Sequence, residues 1–530
     1  MKNRNYPLYD TPNNTCLAAM LESNAKDVPD KVAIRQRAGR NKFDSFTHQQ
    51  MLDDVKRVAA YITENYGSGN HIAILGENSY EWLLAFLGTV TSGNVAVPTD
   101  KELPANEIAV LLDLADVSIA FVSKTYSDLV EDIDGLKIMT LKQLKNCTPE
   151  NAENFQLLHP ADMDELAAIF FTSGTTGRSK GVMLSHKNII EEINITSRMF
   201  DPEGDSTVAV LPFNHAFGLI VAVLMAISYR KTTFITKSLK NVQKDILENK
   251  PTIVMLVPLF IETFYKAIMS SVKASGKEKQ LQKGIRLSNF LLKFGIDKRR
   301  EFFKDILAPF GGELKWIISG GAPLDPFYVK QFHAFGIEIL NGYGTTECSP
   351  CVAVNRNYFK KEGSVGQLIQ QMEARVSEDG EVELRGPVVM KGYYGNEEAT
   401  QEVLSADGWY KTGDLGYVDK DNFIFLTGRK KNLIILSNGE NISPEELEAD
   451  FQIDEAVKEV LAYEWDNKLI AEIYPEEEYM GNEEYFHELM LKVNKGRPLS
   501  KQIASVKLRD TEFIKNTTQK IIRSKNIPKK

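Results

Sequence analysis

Short apolar runs alternate along the chain with longer segments whose apolar residues recur at helical spacing. HIAILG, His71 to Gly76, is an apolar run closed by glycine and predicts a strand. NSYEWLLAFLGTVTSG, just after it, has the period of an amphipathic helix, and NVAVP reads as the next strand. LADVSIAFVS, PTIVMLVP and LKWIIS repeat the theme, each a β-rich run bounded by Gly, Pro or Ser. Strands that alternate with helical segments predict α/β layers with parallel strand pairing. There is no internal repeat and no low-complexity tract.

Beyond about Gly386 the texture changes. GYVDKDNFIFLTGR predicts a hairpin, with DKDN as the turn between alternating strands. Further on, Ser443 is placed to cap a helix opened by Pro444, and Glu445 and Glu446 fall in its first turn, where the helix dipole favours carboxylates. The expected organisation is a large N-terminal domain of layered α/β subdomains over 1–428 and a small, mobile α+β C-terminal domain over 432–530, with a hinge at 429–431. A domain of about 100 residues is of ordinary size. The segment Lys277 to Leu307 predicts helices with a basic face. Such a face suits either a membrane surface or, the plainer reading, solvated helices packed on the rest of the chain.

Composition narrows the class. The chain has 530 residues, too many for one core, with 43% apolar and 25% charged residues, as in a soluble globular protein. A formal net charge of -9 argues against a nucleic-acid binder, which normally carries a basic surplus. The polar start MKNRNYPLYDTPNNT shows no signal-peptide core, and the longest apolar run, Gly218 to Ser228, is too short to span a bilayer. Four cysteines make no disulfide framework, and the Cys348/Cys351 pair has no second pair of metal ligands nearby. The expected location is cytoplasmic.

The chemistry concentrates in TSGTTGRSKG, Thr172 to Gly181, set after the apolar run ELAAIFF. Gly174, Gly177 and Gly181 let backbone N–H groups turn toward an anion. The hydroxyls of Thr172, Ser173, Thr175 and Thr176 add neutral donors, and Lys180 adds a point charge for a phosphate. It is not a Walker A loop, because Gly177 is followed by Arg178 rather than by Lys and Ser or Thr.

This string resembles the signature of the adenylate-forming (ANL) superfamily, which includes acyl-CoA synthetases and the adenylation domains of peptide synthetases. SGGAPL (Ser319 to Leu324), NGYGTTE (Asn341 to Glu347), YKTGDLG (Tyr410 to Gly416), GRKKNLIILSNGENISPEELE (Gly428 to Glu448) and NTTQKIIR (Asn516 to Arg523) match in the same order. The resemblance covers nearly the whole chain. It implies an ATP- and Mg²⁺-dependent acid–thiol ligase. A carboxylate attacks the α-phosphorus of ATP to give an acyl-adenylate and pyrophosphate; a thiol then takes the acyl group and AMP leaves. No enzyme nucleophile is needed, so such catalysis is positioning plus charge stabilisation.

Carried over residue by residue, the resemblance implies these roles. Ser173, Gly174, Thr175, Thr176 and Gly177, with Thr172 and Lys180, wrap the phosphates. Gly320, Gly321, Ala322 and Pro323 border adenine and acyl group. Asn341 and Gly342 meet the purine edge, Tyr343 offers adenine a flat face between Gly342 and Gly344, and Thr345 belongs to the same string. Thr346 touches the α-phosphate, and Glu347, with Thr172, holds Mg²⁺. Asp414 accepts the ribose hydroxyls with Arg429 beside it. Lys520 offsets charge between the α-phosphate and the acid; Gln519 stands where the family often has glycine. Lys431 falls at the family's hinge, and Gly439, Glu440 and Asn441 form a loop that a rotation of the small domain would bring to the thiol tunnel.

LPFNHAFGL, Leu211 to Leu219, matches the loop lining the acid pocket, with His215, Phe217 and Gly218 as its gate. No Asp occurs between Asp205 and Asp245, which disfavours an amino-acid substrate. GLIVAVLMAIS suits an apolar pocket wall or an ordinary buried helix. VMKGYYGNEEAT and the 277–307 segment resemble medium- to long-chain fatty acid–CoA ligases. Coenzyme A is the expected thiol and a free acyl carrier protein the alternative; a non-catalytic nucleotide- or acyl-binding homologue is the reading from another class.

Overall fold

The structure, a computed structural model, describes residues 8–39, 42–172, 179–201, 203–435, 441–515 and 520–528. The chain folds as two compact units: Met1–Ala374 with Leu384–Tyr410 and Lys420–Ile424 in the first, and Arg375–Glu383, Lys411–Asp419 and Phe425–Lys530 in the second. The 429–431 segment expected as a hinge lies within the second unit, which also takes in the strand segments 375–383 and 411–419. The α/β expectation is borne out.

The first unit holds a seven-stranded sheet in the order Gly392–Tyr393, Lys180–Ser185, Leu166–Thr172, Val95–Thr99, His71–Leu75, Val117–Val122, Lys137–Thr140. The last five strands pair in parallel, and Lys180–Ser185 is antiparallel to both its neighbours. Parallel neighbours need a crossover, and the helix Tyr80–Thr91 supplies the one between His71–Leu75 and Val95–Thr99. Ser79 caps that helix, its hydroxyl accepting from Trp82 N at 3.1 Å. Helix and strands are buried almost throughout, as in a sheet covered on both faces.

A second sheet of this unit runs Gly366–Leu368, Cys351–Val354, Glu338–Gly344, Trp316–Ser319, Ile253–Leu256, Ser206–Ala209, Thr232–Ile235, Val32–Gly39, Lys42–Thr47. The strands from Glu338–Gly344 to Val32–Gly39 are parallel, with antiparallel strands at both ends. Its core gathers Val254, Ile317, Ile339, Phe332 and Phe335, all at most 1% exposed. The apolar run from Gly218 is a buried helix: Phe217–Leu224 winds as a π-helix and Met225–Ser228 as an α-helix. Among the described residues, no helix is long and apolar enough to cross a membrane. Cys348 and Cys351 are free and buried, and burial pushes both thiols well above the ordinary range.

In the second unit, Val457–Trp465, Lys468–Pro475 and Ser505–Leu508 form a sheet beside the helices Pro444–Gln452 and Glu483–Asn494. Pro444 opens its helix as expected, with Glu445 and Glu446 in the first turn. Ser443 takes the cap position but makes no side-chain cap bond. The Glu445 carboxylate claims the hydroxyl instead, at 2.8 Å from Oε2. The hydroxyl there acts as a donor to a charged acceptor, and its oxygen accepts from no helix amide. In the expected hairpin, Tyr410–Val418 neighbours Phe423–Arg429, and the Tyr417 and Phe425 rings stack 4.8 Å apart.

The turn from Glu338–Gly344 into Cys351–Val354 leaves no room at Gly344. A Cβ there would overlap the Pro350 carbonyl oxygen and stand 2.7 Å from its carbon. Gly344→Ala is therefore expected to destabilise the protein by about 1–3 kcal/mol, as overpacking does. Chemical denaturation measures this, and an unchanged midpoint would contradict the close approach.

Candidate nucleotide and acyl site

Three parallel strands run level in the first unit, two of them ending at Leu256 and Ser319 and the third continuing to Gly344. Leu256 pairs with Ser319, and Ser319 pairs with Asn341. In open α/β sheets, ligands bind beyond such carboxyl ends, where the chain leaves the ladder and its polar groups become available. Here the loop after Ser319 carries the SGGAPL string, and NGYGTTE spans the end of the third strand and the turn beyond it. Gly320 N still donates to Leu256 O at 3.2 Å, and Gly321 then turns with φ +81°, a left-handed conformation suited to glycine. Gly321, Ala322 and Pro323 are exposed beyond it.

At this edge the buried side-chain atoms Ser319 Oγ and Asn341 Oδ1 have no hydrogen-bond partner among the described residues. An unmatched buried polar atom carries a desolvation penalty of about 1–3 kcal/mol, so a neighbouring pair marks a place where a ligand can supply the missing bonds. Tyr343 is only 9% exposed, so its ring is largely covered. The Gly342 backbone pairs with Val354, and Thr345 opens the turn, its carbonyl accepting from Cys348 N at 2.8 Å.

The apolar loop meets the same edge. A Cβ on Gly320 would stand 3.0 Å from Phe217 Cζ, so the missing side chain makes room for that ring. Gly218 is equally confined: a Cβ would overlap the Pro212 carbonyl. His215 is half-buried, its Nε2 3.5 Å from Asn214 Nδ2. The structure thus brings Phe217 to the SGGAPL loop, with Gly218 next to it in the chain. Behind Phe217 the wall from Leu219 to Leu224 is wholly apolar and buried.

A charged cluster forms across the two sheets of this unit. Thr172 pairs with Lys180 where the chain turns from one strand of a hairpin to the next, and Tyr393 pairs with Val182 on the other side of that strand. Lys180 Nζ lies 4.6 Å from the centroid of the Tyr393 ring, a cation–π contact. The Tyr393 hydroxyl donates to Glu347 Oε1 at 2.9 Å. Burial, with the Glu347 charge beside it, holds the Tyr393 phenol well above its ordinary pKa. Glu347 is half-buried in the Thr346–Cys348 turn, anchored by Met390 N donating to its carbonyl at 2.8 Å.

Tyr393 was not among the residues singled out from the sequence. Its only signal was the GYYG string, whose role depends on a pairing to a strand some two hundred residues earlier. Ser319, the first residue of SGGAPL, was likewise not assigned a role. Ser173, Gly174, Thr175, Thr176 and Gly177 lie outside the described residues, as do Gly439 and Glu440. Asn441 enters only through its backbone, paired to Ile435.

In the second unit the remaining candidates gather by themselves. Asp414 is 4% exposed, and its Oδ1 lies 2.7 Å from Arg429 Nε. Arg429 also donates to Thr412 O at 3.0 Å, and Thr412 in turn donates to Val382 O. Gly413, at φ +71°, donates from its amide to Glu381 Oε1 at 2.8 Å. Glu381 also pairs with Lys430 at 2.9 Å, so a buried acid missed in the sequence braces the TGD turn. Lys520 lies at an exposed position, yet the surrounding unit desolvates its ammonium and Arg429 repels it. Both effects lower its pKa, and Asp414 opposes them. Lys431 is lowered by burial and then by Arg429 and Lys520, with Asp414 opposing.

The chain belongs to the AMP-binding enzyme family, whose model matches residues 21–394. It is an adenylate-forming acyl-CoA ligase, an AMP-forming acyl-CoA synthetase. The long-chain-fatty-acid–CoA ligase FadD15 of Mycobacterium bovis is 29% identical over 468 residues, 82% of this chain and 77% of that protein. Long-chain-fatty-acid–CoA ligase 6 of Mus musculus is 26% identical over 445 residues, 75% of this chain and 64% of that protein. Among solved structures, the ATP-bound RpMatB–BxBclM chimera B1 superposes with a TM-score of 0.79 at 26% identity, covering 96% of this chain and 98% of that one.

Removal of the phenol that orients Glu347 tests the cluster. Tyr393→Phe is expected to raise the Mg²⁺ concentration needed for half-maximal activity about tenfold, as loss of a ligand-orienting hydrogen bond does. A Mg²⁺ titration of pyrophosphate release reads this; an unmoved midpoint would show that the contact orients nothing.

Proposed function

We propose that the protein activates a medium- to long-chain fatty acid through an acyl-adenylate and transfers it to coenzyme A, releasing AMP and pyrophosphate. The observation that carries this reading is the edge where Ser319 and Asn341 are register partners and Gly320, the next residue, lies against the Phe217 ring. Polar groups suited to a nucleotide and an apolar wall meet there at one glycine. The fatty-acid ligases among the relatives support the choice of acid, and the absence of Asp between Asp205 and Asp245 weighs against an amino acid. Each buried CH₂ contributes about 0.8 kcal/mol, so chain length is the natural specificity variable of an apolar wall.

Each residue then has a physical task. Asn341 accepts from the adenine amino group, and Gly320 to Pro323 border base and acyl chain. Lys180 and Thr172 serve the phosphates with the segment 173–178. Thr346 approaches the α-phosphate. Among the described residues no group of three or more His, Cys, Asp or Glu is placed to hold a metal. That suits Mg²⁺, which usually takes one or two carboxylates plus substrate phosphates rather than an all-protein cage. Glu347, fixed by Tyr393, is the carboxylate that fits, with Thr172 as a second candidate. Mg²⁺ bound there would neutralise phosphate charge. Asp414 and Arg429 are assigned to the ribose. Lys520 is assigned to the α-phosphate and the attacking carboxylate, two anions that otherwise repel.

The test mixes protein, Mg·ATP and a panel of acids, from acetate to palmitate with benzoate and several amino acids, and follows pyrophosphate and AMP with and without coenzyme A. Acid-dependent release that rises with coenzyme A and peaks at a fatty acid is expected. A peak at an amino acid, or rates indifferent to coenzyme A, would refute the corresponding half of the reading.

Lys520 has its own test. Lys520→Ala is expected to lower the adenylation rate by roughly 10²–10³, the usual effect of removing one charge-stabilising donor, while ATP binding persists. Because the ammonium is the working form and its pKa is lowered, the wild-type rate should fall on the alkaline side below 10.5, the ordinary lysine value. A pH–rate profile flat through that range would contradict the assignment.

A further inference from the structure

The helix Glu278–Leu292 has two faces of different kinds. Leu281 and Ser288 are buried, Ile285 packs against the core, and Gly284 faces Phe303, where a Cβ would stand 3.3 Å from the ring. Spaced three and four residues apart, Leu287, Phe290 and Phe294 fall on the other side and are 51%, 57% and 67% exposed. The Phe290 and Phe294 rings meet edge to face with centroids 5.1 Å apart, and Ile296 and Phe302 extend the exposed apolar area. An isolated exposed leucine needs no explanation; an aromatic cluster along one helix does.

The charge on this segment is locally cationic. From Lys279 to Ile296 there are Lys279, Lys283, Arg286 and Lys293 and no acidic residue, in a chain of net charge -9. All four cations are exposed. The acids that follow are already engaged: Asp297 with Arg299 at 2.8 Å and Glu301 with Lys298 at 2.6 Å. A local cationic surplus around exposed phenylalanines and a leucine is the pattern of helices that lie in a bilayer interface, with rings at the headgroup–acyl boundary and cations on anionic headgroups.

We propose that the Glu278–Leu292 helix and the turn through Phe294 form a docking face for an anionic lipid surface. Cations and exposed rings share this face, so the protein, acidic in net charge, approaches a negative bilayer by it.

The full-length protein is tested by co-sedimentation with vesicles of phosphatidylcholine alone and of phosphatidylcholine with phosphatidylglycerol. The wild type is expected to bind the anionic vesicles more tightly and to dissociate as salt rises, since exposed charges are screened. Phe290→Ser/Phe294→Ser and Lys283→Gln/Arg286→Gln should each weaken that binding roughly tenfold. All four side chains are exposed, so thermal midpoints should stay near the wild-type value. If one pair fails to fold, the other, of different chemistry, decides the matter. Wild-type protein that ignores anionic vesicles, as a face made for a protein partner would, overturns the proposal. So does binding of a folded variant pair equal to wild type.

Discussion

The register that levels Leu256, Ser319 and Asn341 is the constraint on which the candidate site depends. Parallel strands share one direction, so their carboxyl ends accumulate at one edge and their outgoing loops start side by side. Two consequences follow at once. Ser319 and Asn341, apart in sequence, become neighbours with buried polar atoms that no described residue satisfies. And Gly320 comes under the Phe217 ring, so the apolar loop and the polar strand ends share a boundary. A slip of one residue in either pairing would turn these side chains to the opposite face of the sheet.

Two acids in the molecule are handled differently, and the contrast suits different work. Glu347 takes a neutral donor, the Tyr393 phenol, which orients an oxygen without cancelling its charge. Such a carboxylate keeps its attraction for a cation. Asp414 is buried against Arg429 and so is already paired, which suits a residue that accepts hydrogen bonds from neutral hydroxyls. Lys520 shows the reverse of Asp414. Desolvation and the nearby Arg429 weaken its hold on its proton, so an anion arriving there removes an existing electrostatic penalty.

The helix at 278–292 illustrates how one segment serves two surfaces. Leu281 and Ile285 tie it to the core that supports the Trp316–Ser319 and Glu338–Gly344 strands. Its outward residues contribute nothing to that core. The plainer reading of 277–307 as solvated packed helices holds for the inward face; the exposed phenylalanines are what it does not explain.

Much of this was legible in the sequence because it is written in local order. HIAILG and LKWIIS are apolar runs bounded by breakers and became strands; the helix after Ser79 carries its own cap; Thr172 to Gly181 and Asn341 to Glu347 are contiguous strings of glycine, hydroxyl and charge whose composition states their chemistry. Local order gave the cap position but not the cap bond at Ser443, whose hydroxyl donates to Glu445 and accepts from no helix amide. Other features came only with the tertiary structure. Tyr393 beside Glu347, Glu381 under the TGD turn, the shared boundary of Gly320 and Phe217, and the outward turn of Phe290 and Phe294 all depend on which strands and helices lie side by side. Residue spacing along a chain specifies the face of an element, but the partner of that face is chosen by long-range packing, which no local string records.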